Sequence, residues 1–343
     1  MTPARASMRA VRVYEVGAIG NGKIEDVPAP IPGPDEAVVE VRAVAVNFVD
    51  LLTIEGRYQF RPEMPYTPGK GPAGVVLAIG SNVDDLRVGD RVLAMAEYGG
   101  YAEAVVVDHR QVHPLPVGID FSAAATLAVS FDTAWMALRD RARLAEGESV
   151  LVLGATSAVG GATIQLARAM GASTVLAGLS APDRFASTPL AALVDGTVDL
   201  GGSELRDSIR LDVHRLTDGR GVDVVVDMIG GDAFDGAIRA LAWRGRYVVV
   251  GFASGRIAML KSNYVLLKNI EVSGLQISDY RKHRPELVSD GFAEIFALIE
   301  RGQISPPPYR TMPLDDWALA LEEIRERRAD RRLVLEPHDR SGG

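Results

Sequence analysis

The sequence predicts an α/β protein in which a β-rich first part precedes a doubly wound parallel sheet. Three observations predict it. Residues 149–171 read as strand, tight turn and helix in immediate succession; from about Ser122 strand-like and helix-like segments alternate; and residues 8–121 hold short apolar runs with little helical spacing. The chain has 343 residues, 47% of them hydrophobic and 24% charged, the balance of a globular protein longer than one ordinary domain. Two domains are expected.

In chain order, AVVEVRAVAVN, AGVVLAIG, DRVLAMA and YAEAVVVD are the strands of the first part, each ended by glycine, charge or a turn. Pro28, Pro30, Pro32 and Pro34 keep the loop before them extended and out of any helix. A compact, irregular β-barrel-like domain is expected from these runs. AAATLAVSFDTAWMALRDRA then reads as a helix leading into the second part.

The strand SVLVL carries Val150, Leu151, Val152 and Leu153 without a polar break, as a parallel strand buried on both faces does. Gly154 makes the turn, Ile164, Leu166, Ala167 and Met170 fall at helical spacing, and Gly171 ends the helix. Between strand and helix every residue is small: Ala155, Thr156, Ser157, Ala158, Val159 and Gly160. Phosphates can therefore approach the backbone N–H groups of the helix N-terminus, which points to a dinucleotide. The strict G-x-G-x-x-G spacing is not met, since Ala155 and Ser157 stand where its first two glycines belong. A tight strand-to-helix turn without a ligand is the alternative reading of this segment. STVLAGLS is the second strand, the third has no clear signal, and GVDVVVDMIGG, RGRYVVVGFASG and NIEVSGL complete an expected six. Helical PELVSDGFAEIFALIERGQI and LDDWALALEEIRERRA follow, the latter with Leu314, Trp317, Leu321 and Ile324 on one core-type stripe. RRLVLEP reads as a strand returning to the first domain.

Composition also excludes. A net charge of -8 leaves no basic footprint for nucleic acid, and no apolar run reaches the roughly 18 residues of a membrane span. With no apolar h-region near the N-terminus, a cytoplasmic location is expected. The chain has no cysteine, which removes disulfides, thiolate nucleophiles and cysteine-ligated zinc. Of its five histidines only His109 and His113 are close in sequence, without further ligands beside them, so both read as structural.

These segments, together with VPAPIPGPDE, GRYQFRPEMPYTPGKGPAGVV and SFDTAWMAL, resemble the zinc-free quinone oxidoreductase branch of the medium-chain dehydrogenase/reductase superfamily over nearly the whole chain. The resemblance implies a GroES-like catalytic domain over residues 1–122, completed by 278–343. It also implies a Rossmann domain over 123–277, an active site between the two, and a homodimer formed through the edge strand NIEVSGL. Zinc-dependent relatives place a cysteine where this chain has Asn47, and a histidine and glutamate where it has Lys70 and Gly71. No metal is expected. Without a Lewis acid the chemistry shifts to acceptors that take hydride readily, quinones and activated carbon–carbon double bonds.

The cofactor implied is NADPH. The second Rossmann strand ends Ala177, Gly178, Leu179, Ser180, with no carboxylate for a ribose 2′-hydroxyl before Asp183, and Arg184 stands near the position of a phosphate-binding lysine in this branch. A plain surface arginine is the other reading. By resemblance Thr133, Gly230, Phe252, Ala253 and Arg332 also contact cofactor, with Gly231 and Asn263 as neighbouring matches. Three residues are assigned to catalysis. Asn47 offers an amide to a substrate oxygen or the nicotinamide ribose, or simply forms a turn; Tyr58 donates a hydrogen bond or proton, or simply packs; Lys70 stabilises an enolate or binds cofactor. Asp50 is expected to be structural. The run Tyr280, Arg281, Lys282, His283, Arg284 reads as a solvated loop, with attraction of a phosphate-bearing substrate as the alternative. An NADPH-binding crystallin-like or regulatory protein without turnover is the rival to a reductase of quinones, enones or enoyl thioesters.

Overall fold

The computed structural model describes residues 6–59 and 61–338. The chain divides into two units: Met1–Val129 with Tyr280–Phe296 and Ser305–Gly343, and Ser130–Asp279 with Ala297–Ile304. The outermost residues of the expected first domain, 1–5 and 339–343, lie outside the described residues.

The first unit opens with the antiparallel hairpin β1 (Ser7–Val13) and β2 (Gly22–Pro28). Its spine is β3 (Glu36–Ala45), the ten-residue strand predicted by AVVEVRAVAVN. Then come α1 (Phe48–Ile54), β4 (Ala73–Ile79), β5 (Arg91–Ala94), β6 (Ala104–Asp108), β7 (Val112–Pro114) and α2 (Phe121–Leu127). Val39, Val41, Val44, Leu51, Ile54 and Tyr101 are buried in one core, which fixes α1 against the sheet.

The second unit begins at α3 (Ser130–Met136), continued by the π-type turns of Ala137–Arg141. The single lead-in helix expected over residues 123–142 is therefore two. Ala128 is extended and Val129 stands at φ +64°, a conformation a β-branched residue rarely adopts and that ends any helix. The division between units falls here and not after residue 122, because Ser122–Leu127 of α2 are all buried in the β-rich unit.

Next come β8 (Ser149–Leu153), α4 (Ala158–Ala169), β9 (Thr174–Leu179), α5 (Pro182–Ala186), β10 (Gly196–Asp199), α6 (Leu205–Leu216), β11 (Val222–Asp227), α7 (Gly231–Ala240), β12 (Leu241–Val249), α8 (Ser262–Lys268) and β13 (Glu271–Gly274). The third strand, without a clear signal in sequence, is the four-residue β10. All six strands are parallel in the order β10-β9-β8-β11-β12-β13. That order winds outward in both directions from β8 and reverses between β8 and β11, where α/β sheets of this kind take their ligands.

The chain closes with α9 (Ile277–His283), α10 (Pro285–Glu300), β14 (Tyr309–Pro313), α11 (Trp317–Arg325) and β15 (Arg332–Glu336). Strand β15 pairs with β14 and with β3, so RRLVLEP does return to the β-rich sheet, and Leu314, Trp317 and Leu321 sit in its core. Among the described residues no single helix is long and apolar enough to cross a membrane.

Candidate active site

In the parallel-sheet unit the chain leaves β8 at Gly154, φ +86°. Ala155 is buried while Thr156 and Ser157 are exposed. Ser157 Oγ accepts a hydrogen bond from the Gly160 N–H at 3.0 Å and caps α4, whose other first-turn N–H groups have no acceptor within the helix. A Cβ on Gly160 would lie 2.2 Å from the Gly154 carbonyl oxygen, so the helix rests directly on the turn. That is the part the last glycine of the dinucleotide pattern plays, and here it is complete although the pattern is not. At the end of β11 the buried Asp227 accepts from the N–H groups of Ile229 and Gly230 at 2.7 and 2.9 Å and from the Tyr247 hydroxyl at 2.7 Å. This shapes a second turn, with Gly230 and Gly231 both at positive φ. The two turns meet: a Cβ on Gly154 would touch Ile229, and one on Gly230 would touch the Phe252 ring.

Residues 155–160, Gly230 and Phe252, with Ala253 bonded through its N–H to the Met228 carbonyl, thus converge on the β8–β11 switch point. Ser180 and Arg184 are exposed just beyond the end of β9. Thr133 is buried on α3, its N–H on Asp132 Oδ1 at 2.6 Å, and Asn263 is exposed in the first turn of α8. Small residues at a helix N-terminus and glycine turns suit a dinucleotide.

In the β-rich unit Asn47 lies two residues beyond β3 and is the N-cap of α1. Its backbone N–H donates to Asp50 Oδ2 at 2.9 Å, its Nδ2 donates to the Ala45 carbonyl at 2.9 Å, and its Oδ1 accepts from Arg332 Nη2 at 2.7 Å. Arg332, assigned to cofactor by resemblance, is held on Asn47 at the start of β15. Asp50 is buried and also accepts from the Tyr101 hydroxyl at 3.2 Å, a bracing part as expected. Gly69 at φ +96° and Gly71 at φ +63° make a sharp turn around Lys70. A side chain at position 71 would meet Ala128 Cβ at 2.5 Å. The Lys70 ammonium is buried, 2.5 Å from Glu97 Oε2 and 5.5 Å from the ring centroid of the half-buried Tyr58. The unit therefore brings Asn47, Asp50 and Arg332 into one cluster and Lys70 and Tyr58 into another.

Comparison with known proteins identifies the family. Residues 33–117 match the family model described as alcohol dehydrogenase GroES-like domain, and residues 158–291 the one described as zinc-binding dehydrogenase. The chain is 34% identical over 311 residues to quinone oxidoreductase-like protein 2 of Rattus norvegicus, covering 91% of this chain and 87% of that one. It is 32% identical over 327 residues to the quinone oxidoreductase of Mus musculus, covering 94% and 96%. The chain belongs to the quinone oxidoreductase branch of the medium-chain dehydrogenase/reductase superfamily. A solved Pseudomonas syringae pv. Tomato DC3000 quinone oxidoreductase superposes with a TM-score of 0.86 at 27% identity, over 96% of this chain and 100% of that one. As a medium-chain dehydrogenase/reductase the protein is an oxidoreductase that uses a nicotinamide cofactor.

Of two further residues of the candidate site, one had no signal in sequence and the other was read as solvated. Glu97 lies on the loop after β5, and Arg281, expected in a solvated loop, is a fully buried residue of α9. The correction has a physical reason: Arg281 Nη1 meets Glu97 Oε1 at 2.8 Å, a pairing that offsets the cost of the burial. Burial pushes the Glu97 carboxyl up, but Arg281 and Lys70 outweigh it and hold it at about 2. Burial lifts Asp50 to about 6 against its hydrogen bonds and Lys70. Burial, with Arg281 beside it, pushes His113 down to about 3, and its ring packs 4.7 Å from that of Phe292.

The signs set an acid limit. Folded His113 resists protonation, so stability falls as pH drops from 6.5 toward 3; Glu97 adds stability that is lost as pH falls from 4.5 through about 2. Asp50 acts oppositely, gaining stability as pH falls from about 6 to 3.8 and offsetting His113 over that window. In urea unfolding, His113→Gln should remove roughly 1–3 kcal/mol of the stability wild type loses between pH 7 and pH 4, at about 1.4 kcal/mol per titrating proton per pH unit. A wild-type-to-variant difference that is constant across that range would mean His113 titrates alike in both states.

Proposed function

We propose that the protein is an NADPH-dependent, zinc-independent reductase that delivers hydride to a quinone or to the β-carbon of an activated carbon–carbon double bond. The observation that carries the cofactor choice is the end of β9, where Ser180 and Arg184 are exposed and no carboxylate precedes Asp183. A guanidinium there pairs with a 2′-phosphate, whereas a carboxylate would accept from a 2′-hydroxyl. When bound, NADPH supplies the hydride and leaves as NADP+, and one proton completes the reduced acceptor. In the parallel-sheet unit the first-turn N–H groups of α4 hold the pyrophosphate, and Phe252 and Ala253 line the nicotinamide side. In the β-rich unit the second N–H of Asn47 Nδ2 is left for an acceptor oxygen or the nicotinamide ribose, Lys70 sets positive charge against the oxygen that becomes negative, and Tyr58 or water gives the proton. The quinone oxidoreductases among its relatives support a quinone as acceptor.

One observation favours a second reading, a nicotinamide-binding protein without turnover. The Asn47 oxygen is engaged by Arg332 and the Lys70 ammonium by Glu97, so each group already has a partner inside the protein. Fluorescence titration with NADPH and NADH, followed by 1,4-benzoquinone and a simple enone, separates the two. NADPH should bind more tightly, by about tenfold or more, and be oxidised when acceptor is added, and Arg184→Ala should abolish the preference. Binding without oxidation over both acceptors favours the second reading, and tighter NADH binding removes the role given to Arg184.

The protein is also proposed to be a homodimer joined along β13, which pairs with β12 on one side only. Trp243, Leu266 and Leu267 are 69%, 78% and 72% exposed on the neighbouring elements, an apolar surface that a second copy would cover. Sedimentation should give twice the chain mass for wild type and the chain mass for Leu266→Glu/Leu267→Glu; a wild-type monomer would refute the dimer.

A further inference from the structure

The β-rich unit buries a lysine and an arginine on one half-buried glutamate, the three coming from distant segments. Lys70 and Glu97 are 27 residues apart, and Glu97 and Arg281 are 184 apart. The side chains of Lys70 and Arg281 are 6% and 1% exposed. Glu97 is shared, Oε2 on the lysine at 2.5 Å and Oε1 on the arginine at 2.8 Å. Stability alone does not account for such a trio, because apolar side chains of similar volume would serve a core as well or better. What the trio achieves is placement. A lysine on a four-carbon stem normally samples many rotamers, whereas here the ammonium is fixed 5.5 Å from the ring centroid of Tyr58. His113, the titratable group that faces Arg281 from β7, is neutral and adds no third positive charge.

We infer that Glu97 and Arg281 are positioning residues for Lys70: Arg281 anchors Glu97, and Glu97 holds the ammonium against Tyr58, ready for the negative charge that hydride transfer creates on an acceptor oxygen. The inference rests on the proposed reductase function and narrows it. A fixed cation helps only where charge gathers on oxygen, so the acceptors selected are those whose double bond is conjugated to a carbonyl, quinones and enones, and not isolated alkenes.

The test has two arms on the full-length protein. The first needs no turnover. The chain has only five lysines, so labelling with 2,4,6-trinitrobenzenesulfonate and peptide mass spectrometry reads Lys70 against the exposed Lys23 and Lys261. Lys70 should be protected in wild type and labelled at least about tenfold faster in Glu97→Gln and Arg281→Met, with Lys23 and Lys261 unchanged. Equal Lys70 labelling in wild type and both variants overturns the positioning claim, whether or not any acceptor is reduced. The second arm is a cycle on quinone or enone turnover. Glu97→Gln should lower kcat by about tenfold to a hundredfold with NADPH affinity near wild type, at a temperature below its lowered melting point. On a Lys70→Met background it should do almost nothing more, and Arg281→Lys should keep more activity than Arg281→Met. Full additivity of Lys70→Met and Glu97→Gln would contradict action through Lys70. A wild type that reduces no acceptor contradicts the reductase reading, and leaves the labelling result to decide the positioning.

Discussion

One carboxylate, Glu97, holds two buried cations, and the candidate catalytic side of the β-rich unit is arranged around it. Neither Lys70 nor Arg281 is tolerable in that interior alone, because removing a charge from water costs several kcal/mol unless a partner meets it. The two constrain Glu97 in return and keep it ionised far below the ordinary carboxylate range. Lys70 is held in turn by the carboxylate it faces. A second cluster lies at the end of β3, where Arg332 from the returning strand β15 meets the Asn47 amide and Asp50 braces α1. The C-terminal segment thus completes the first unit in chemistry as well as in topology.

The parallel-sheet unit depends on a different constraint, backbone contact. Gly160 admits no side chain against the Gly154 carbonyl, Gly230 and Gly231 turn at positive φ, and Asp227 ties two N–H groups of that turn. Such contacts leave backbone N–H groups at the surface of the switch point, the groups proposed to meet the cofactor's phosphates. In this unit the side-chain charge proposed for the cofactor is Arg184, given the choice between two forms of one dinucleotide.

The fold was largely legible because burial on both faces leaves continuous apolar runs such as SVLVL and GVDVVV, and because Gly154 and Gly171 mark turn and helix end. What escaped detection has local causes. Strand β10 is four residues long, and the break at Val129 is imposed by tertiary packing in a stretch whose small apolar residues read as unbroken helix. In the site, Asn47, Tyr58 and Lys70 could be singled out because each lies in a recognisable motif. Their engagement was not visible, since Glu97 and Arg281 join Lys70 only across long sequence separations. A run of charges such as Arg281, Lys282, His283, Arg284 looks solvated until a distant carboxylate is known to face one of its members.

The central claim is that this chain moves hydride from NADPH to a carbonyl-conjugated acceptor. The most direct measurement uses NADPH carrying deuterium at both C4 positions, with an enone as acceptor and mass spectrometry and NMR of the product. The account predicts one deuterium in the product, on the β-carbon, and a proton from solvent on the α-carbon. Reduced product without deuterium at the β-carbon, or no reduction by a protein saturated with NADPH, would contradict it.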